Sequence, residues 1–255
     1  MTKQDTKQQV KKNLARWRQW HRILGSIVGL QLFIWLITGL YFNLVPSEYL
    51  KGTSYLTRVK APLTDVVDIK PFDSAKLLTR FPNTEKIELV MLANQAFVLL
   101  THQQMRYSHQ CQQQSLIKLG SSDKTDVNIE LAKAIAMQSY SGAGEIIAAT
   151  KMLAAHWEWG KECNDLWRVD FNDKLNTRVY IQANSGLVIG HKNRYTSISD
   201  WVFRLHFMDY LNRGSFNNIF SWSFAALALL LVVTGIHAIY QNWRLGRYKK
   251  HHSNT

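Results

Sequence analysis

Residues 23–44 read ILGSIVGLQLFIWLITGLYFNL, and residues 219–240 read IFSWSFAALALLLVVTGIHAIY. Each stretch is 22 residues long and contains no Asp, Glu, Lys or Arg. At about 1.5 Å per residue, a helix of that length spans roughly 33 Å, which matches a hydrocarbon core of about 30 Å. Core helices of soluble proteins are rarely so long and uncharged. The two stretches are therefore expected to cross a membrane. A cleaved signal peptide would have a shorter apolar core, and Leu44-Val45-Pro46-Ser47 lacks a small-x-small cleavage site, so the first stretch reads as an uncleaved anchor.

The charge of this 255-residue chain supports that reading. Its formal net charge is +13. Residues 1–22 carry Lys3, Lys7, Lys11, Lys12, Arg16, Arg18 and Arg22 against Asp5, which is +6. Residues 241–255 carry Arg244, Arg247, Lys249 and Lys250, which is +4. The excess thus sits on two short flanks of the apolar stretches, the positive-inside pattern, and both ends are expected in the cytoplasm. Trp17, Trp20, Tyr240 and Trp243 suit the inner interface, and Tyr41 and Trp222 the outer one. A basic protein can bind nucleic acid, but charge confined to membrane flanks does not call for that partner; the lipid bilayer does.

The expected fold class is a membrane α protein with an α+β domain between its two helices. Residues 1–22 form a basic cytoplasmic flank, 23–44 the first span, 45–197 an extracytoplasmic domain, 198–218 an interfacial amphipathic segment, 219–240 the second span and 241–255 a basic tail. Within the domain, residues 45–70 read as a linker rich in proline. Pro71-Phe72-Asp73 looks like a helix start. Lys86–Leu92 alternates, Ala93-Asn94-Gln95 turns, and Ala96–Leu100 returns as a hairpin, with a further strand through Leu116–Leu119. The pattern then repeats. Asp126 can cap a helix bearing Ile129, Leu131, Ala132, Ile135 and Ala136 on one side. Strands are expected at Glu145–Thr150, Leu166–Phe171, Thr177–Ala183 and Leu187–His191, with turns at Asn172-Asp173 and Asn184-Ser185-Gly186.

Cys111 and Cys163 both fall in the translocated domain, where disulfides persist, and an even count suits one bridge. Two separate thiols are the alternative. A bridge would contribute roughly 4 kcal/mol by the chain-entropy account.

Three histidines carry the chemical interest. His21 stands at the cytoplasmic mouth of the first helix, with Gly25 and Gly29 following on its face. His237 lies in the second helix, one turn before Gln241 and with Val233 and Thr234 a turn away. The helices run in opposite directions, so both rings lie near one membrane face. An intramembrane histidine is costly and marks function, and neutral imidazole is an axial ligand of haem iron. The bland readings are that His21 sits among headgroups, that His237 bonds a neighbouring carbonyl, and that Gly25-x-x-x-Gly29 only packs helices. His206 lies on an amphipathic helix expected over Ser199–Tyr210 at the outer surface, suited to ligating a second haem, to standing near a substrate on that side or simply to solvent. Two further groups, His102, His109 and Cys111, and His156, Glu158, Glu162 and Cys163, are weaker metal candidates. His251-His252 reads as solvent-exposed tail. No phosphate-cradling glycine loop, dinucleotide fingerprint or nucleophile elbow is present.

The run Thr177-Arg178-Val179-Tyr180-Ile181-Gln182-Ala183-Asn184-Ser185-Gly186-Leu187-Val188 resembles the strand–turn–strand signature of PepSY domains. Leu205-His206-Phe207-Met208-Asp209-Tyr210, with Arg213 and Phe216-Asn217-Asn218, resembles the segment before the last helix of PepSY-associated transmembrane proteins. Trp17, Trp20, His21, Arg22, Gly25 and Gly29 resemble the entry of their first helix. The resemblance covers most of the chain. It implies a bacterial inner-membrane protein, haem b held by His21 and His237 with His206 as a further cofactor ligand, and ferric reductase activity on ferric iron or a ferric chelate outside. An electron donor in the cytoplasm or membrane would be required, since no flavin or nicotinamide site is evident. Larger members have four membrane helices, so a homodimer of this two-helix chain is expected, with Gly25, Gly29, Ala225 and Ala226 allowing close approach. The rival expectation is a membrane-anchored binding module that inhibits or regulates a periplasmic partner.

The topology is directly testable. Reporter fusions or protease protection should place residues 45–218 outside and both termini inside; access to Asn128 or Asn172 from the cytoplasm alone would overturn it.

Overall fold

A computed structural model of the chain describes residues 3–57, 73–103, 111–121, 123–211 and 217–244, with backbone alone for 3–14. Two apolar helices, α1 (Lys3–Leu44) and α6 (Ile219–Arg244), flank an α+β domain with two small antiparallel sheets. The chain divides into two compact units, one comprising Met1–Tyr41, Val202–Leu211 and Ser215–Thr255, the other Phe42–Trp201 with Asn212–Gly214.

The second unit contains α2 (Ser47–Lys51), α3 (Ser74–Arg80), β1 (Lys86–Leu92), β2 (Gln95–Gln103), β3 (Gln113–Lys118), α4 (Ile129–Ser139), β4 (Ile146–Met152), β5 (Leu166–Phe171), β6 (Arg178–Gln182), β7 (Val188–Lys192) and the start of α5 (Arg194–Phe207). Each half is a helix followed by an antiparallel meander. α3 precedes the sheet β1-β2-β3 and α4 precedes β4-β5-β6-β7. The helix-then-strands repeat expected from the sequence is present, with three strands in the first sheet and four in the second.

The alternation along β2 explains the core. Val98 and Leu100 point to one face, where they meet Leu77 of α3 and Ile117. Phe97 and Leu99 point to the other, where they join Leu116, Ala132, Ile135 and Ala136 of the first sheet and α4, and Val169, Phe171, Val179 and Ile181 of the second sheet. A strand buried on both faces reads as a continuous apolar run, as Ala96–Leu100 does. The β1–β2 turn consists of Ala93 (φ 49) and Asn94 (φ 62). Positive φ at both positions gives a turn whose twist suits a two-residue hairpin. Gln138 of α4 holds it, accepting from the Ala93 N–H at 3.1 Å and donating to Asn94 Oδ1 at 2.9 Å. Gly186 (φ +72) closes the β6–β7 turn, and a Cβ there would lie 2.5 Å from Leu92 Cδ1. Any side chain at 186 would therefore push the two sheets apart.

Two sequence expectations are corrected. Part of the proline-rich stretch 45–70 is folded rather than a linker. Pro46 precedes α2, Leu56 forms a β-bridge with Tyr140, and the Thr57 N–H donates to the Ser139 carbonyl at 2.8 Å. A five-residue helix is too short to show a periodicity, which hides it from the sequence. Residues 58–70 lie outside the described residues, as do Pro71 and Phe72, but Asp73 does cap α3, accepting from the Lys76 N–H at 3.0 Å. The cap of α4 is Asn128, not Asp126: Asn128 Oδ1 accepts from the Leu131 N–H at 2.8 Å. Residues 125–127 are held extended, because the Thr125 N–H donates to the Leu116 carbonyl and the Val127 N–H to the Ala183 carbonyl. The helix cannot begin before that pairing ends.

One face of the second sheet is ionic. Glu158, with a side chain 1% exposed, is paired with Arg178 and lies 3.8 Å from Arg168. Arg178 also donates to Ser197 Oγ at 2.6 Å, and Lys192 donates to the Glu158 carbonyl and to Asp200, each at 2.6 Å. Ser197 and Asp200 belong to the first turns of α5, so this network fixes where that helix starts. Asn193 caps it, with Oδ1 accepting from the N–H groups of Tyr195 and Thr196 at 2.8 and 3.0 Å. Thr196 Oγ1 reciprocates by accepting from the Asn193 N–H at 2.7 Å. The amphipathic helix thus runs Arg194–Phe207 rather than Ser199–Tyr210.

His191 is buried in this unit, with Nε2 3.0 Å from Ser139 Oγ and no partner for Nδ1 among the described residues. Burial pushes its pKa down to about 4. A histidine held neutral in the fold binds its proton only after unfolding, so stability is complete above the unfolded value near 6.5 and is lost as pH falls toward 4. Acid titration of the whole protein, followed by tryptophan fluorescence, should show a loss on the order of 2–3 kcal/mol across that window. His191→Gln should flatten the dependence; an unchanged profile would contradict the assignment.

Candidate functional site

The first unit is a pair of antiparallel helices joined by the end of α5. Cross-helix partners run in opposite order along α1 and α6. Arg18 bonds Asn242 at 3.2 Å, His21 meets Thr234, Gly25 faces Leu231 and Trp35 stacks edge-on with Phe224 at 5.1 Å. The α1 face carrying Val28, Gln31 and Thr38 is buried, while Ile27, Leu30, Phe33, Leu36 and Leu40 are exposed apolar side chains. Ala15–Leu44 and Ile219–Arg244 are both long and apolar enough to cross a membrane.

His21 Nδ1 lies 2.9 Å from Thr234 Oγ1. His237 lies one helical turn further along α6 and stacks against Trp17, ring centroids 5.2 Å apart. The two histidines expected to act together are therefore at neighbouring levels, but each ring packs against a different residue of the facing helix. The helices also meet directly here: a Cβ on Gly235 would lie 3.2 Å from His21 Cε1, and one on Gly25 3.8 Å from Leu231 Cδ1. A porphyrin plane does not fit between the two helices of one chain at this contact. The donor chemistry of His21 does suit an axial ligand, because its Nδ1 is taken by a hydroxyl and Nε2 remains as the metal-binding nitrogen. Gly25 is occupied by packing within the chain, whereas nothing lies within 4 Å of a Cβ on Gly29, and Ala225 and Ala226 are exposed.

His206 occupies the other end of the helix pair. Its Nδ1 lies 2.7 Å from Thr38 Oγ1, and Trp35 lies alongside, ring centroids 6.1 Å apart. The surface helix expected around His206 is thus drawn against α1 at its last turn. The end of α5 is held from both neighbours. Gln31 donates to the Leu205 carbonyl at 3.4 Å, and Asn218 Nδ2 and Ser221 Oγ donate to the Phe207 carbonyl at 3.1 and 3.2 Å. The last carbonyls of a helix lack partners within it and must find them elsewhere. Met208 (φ 52) then reverses the chain. Thr38 and Gln31 are residues that the sequence reading did not single out, and Asn218 entered it only within the run Phe216-Asn217-Asn218; the signal was there, in polar side chains set at or inside otherwise apolar stretches.

Cys111 and Cys163 are joined in a disulfide, Cα atoms 4.5 Å apart. The weaker metal candidates dissolve in the structure. Cys111 and Cys163 are consumed by the bridge, Glu158 by its arginines, and Glu162 by Asn164 and Gln182 at 2.7 and 3.0 Å. His102 bonds Ser115 at 2.9 Å, and burial beside Lys124 lowers its pKa. His109, Arg213, Phe216, His251 and His252 lie outside the described residues. Among the described residues no group of three or more His, Cys, Asp or Glu is arranged to hold a metal ion. A cavity of about 390 Å³ opens in the α+β domain, walled by Leu56, Leu92, Ile135, Gln138, Ser139 and the β7 residues Val188–Gly190.

Comparison with protein-family models, with curated proteins and with solved structures gave no match to this chain.

Asn218 both caps α6, accepting from the Ser221 N–H at 3.0 Å, and satisfies the end of α5. Asn218→Ala should cost about 1–2 kcal/mol, read as a lower unfolding temperature of the purified protein.

Proposed function

We propose that this chain is a haem-dependent electron-transfer protein of the PepSY-associated kind, seated in the bacterial inner membrane. It passes one electron from a cytoplasmic or membrane donor to ferric iron or a ferric chelate outside, giving ferrous iron. One observation carries this reading. Histidines stand at both ends of an apolar helix pair, His21 against Thr234 and His206 against Thr38, each with Nδ1 on a threonine hydroxyl. Imidazoles at the two ends of such a pair have a cost in lipid that a packing role does not explain.

Haem b supplies the one-electron couple when bound. The chain's own contribution is the axial nitrogen of His21, with His237 and His206 as the further ligands. Trp17 and Trp35 shield His237 and His206. Because the helices of one chain meet at Gly25 and Gly235, the cofactor is completed between two copies. Gly29, Ala225 and Ala226 are the small exposed residues that permit their approach. Two copies give four helices, a bundle able to enclose a flat cofactor.

A second reading has its own support. The 390 Å³ cavity is lined by apolar, hydroxyl and amide side chains with no charged residue among the described ones, at the edge strand of the second sheet. Such a groove suits a module that binds a partner's neutral segment, with the helices as anchors.

An absorption spectrum of the purified protein separates the two. The haem reading expects a Soret band with split visible bands on reduction. His21→Ala and His237→Ala should each remove most of that absorbance and of the ferric reductase activity while the protein still inserts. His206→Ala should lower activity with a smaller loss of haem. A colourless protein at full occupancy would favour the binding module.

A further inference from the structure

A hydroxyl group has one proton to donate. The Thr234 hydroxyl donates it to the Leu231 carbonyl of its own helix at 2.9 Å. The same oxygen lies 2.9 Å from His21 Nδ1, and with its own proton on the carbonyl it accepts from the imidazole. The neutral His21 ring therefore carries its proton on Nδ1 and its lone pair on Nε2. Thr38 repeats the arrangement at the other end. It donates to the Ile34 carbonyl at 2.7 Å and lies 2.7 Å from His206 Nδ1. Both threonines are nearly fully buried, so water does not compete for either oxygen. Gly235 completes the seat of His21, since a Cβ there would crowd Cε1 at 3.2 Å.

We infer that Thr234 is a positioning residue that fixes His21 in the Nδ1–H tautomer and so presents Nε2 as its ligating nitrogen, and that Thr38 fixes the tautomer of His206 in the same way. The naming of a haem iron as the ligand's partner rests on the function proposed above; the tautomer assignment does not. The chemistry has a direction. An Nδ1–H donated to an acceptor makes the imidazole a stronger electron donor to a metal on Nε2, and loss of such an outer partner typically lowers metal affinity by about 10–100-fold. A valine in place of Thr234 keeps the shape and removes the acceptor. Serine restores the acceptor without the methyl group.

The test uses the full-length protein with ¹⁵N-labelled imidazoles, purified without haem and placed in lipid nanodiscs. The His21 resonances are those lost in His21→Ala. Wild-type protein should show a protonated Nδ1 and an unprotonated Nε2. Thr234→Val should shift His21 to the other tautomer or to an average of the two, Thr234→Ser should restore the wild-type pattern, and Thr38→Val should alter His206 while leaving His21 unchanged. A wild-type His21 protonated on Nε2, or a Thr234→Val spectrum identical to wild type, would overturn the inference. Haem is then titrated into the same samples. Thr234→Val should bind it about 10-fold more weakly and with a higher midpoint potential, and Thr234→Ser should recover both. Wild-type protein that takes up no haem while showing the expected tautomer would sink the haem reading and leave the positioning role of Thr234 standing.

Discussion

The Glu158–Arg178 ion pair is the interaction from which the domain is organised. A carboxylate with a 1% exposed side chain is tolerable only when paired and hydrogen-bonded, and removing one partner of such a pair is strongly destabilising. Its cation stands on the central strand β6 and reaches on to Ser197 of α5. Lys192, on the neighbouring strand, bonds the Glu158 carbonyl and Asp200. The second sheet, the 3-10 turn at Trp157–Trp159 and the start of α5 are thereby one connected structure. Replacing these charges with apolar residues of the same volume would give a packed sheet but would lose the register that sets the origin of α5.

The end of α5 is governed by a different constraint, that the last carbonyls of a helix must find partners outside it. Gln31, Asn218 and Ser221 meet its last carbonyls, and Thr38 meets His206. Thr38 and Thr234 bond back to their own helices while receiving a histidine. Trp35 Nε1 is the exception, buried with no partner among the described residues. α5 therefore begins under ionic control and ends under hydrogen-bond control, and its residues are divided between the two units.

This arrangement bears on how the two functional readings relate. The histidine–threonine pairs and the cavity belong to different units and use different residues. An electron-transfer role for the helices leaves the cavity unused, and a binding role for the domain leaves costly histidines in the helix pair without a purpose. Direct helix contact at Gly25 and Gly235 leaves no room for a flat cofactor between the two helices of one chain, which is why the proposed haem reading calls for a second copy.

The sequence alone determined the two apolar helices, because length and absence of charge are local properties. It also determined most strands, because alternation is local, and the Asn172-Asp173 and Asn184-Ser185-Gly186 turns, because turn residues act on their own backbone. It marked His21, His206 and His237 as costly if those stretches cross a membrane. Only the tertiary structure decided that His21 meets Thr234 while His237 meets Trp17, since cross-helix register depends on how two surfaces pack and not on either alone. The same holds for the cap at Asn128, delayed by the backbone hydrogen bonds of Thr125 and Val127, and for α2, too short to announce itself. The end of α5 was legible as amphipathic but not as docked, because the residues that satisfy its carbonyls lie up to 174 positions away in the chain.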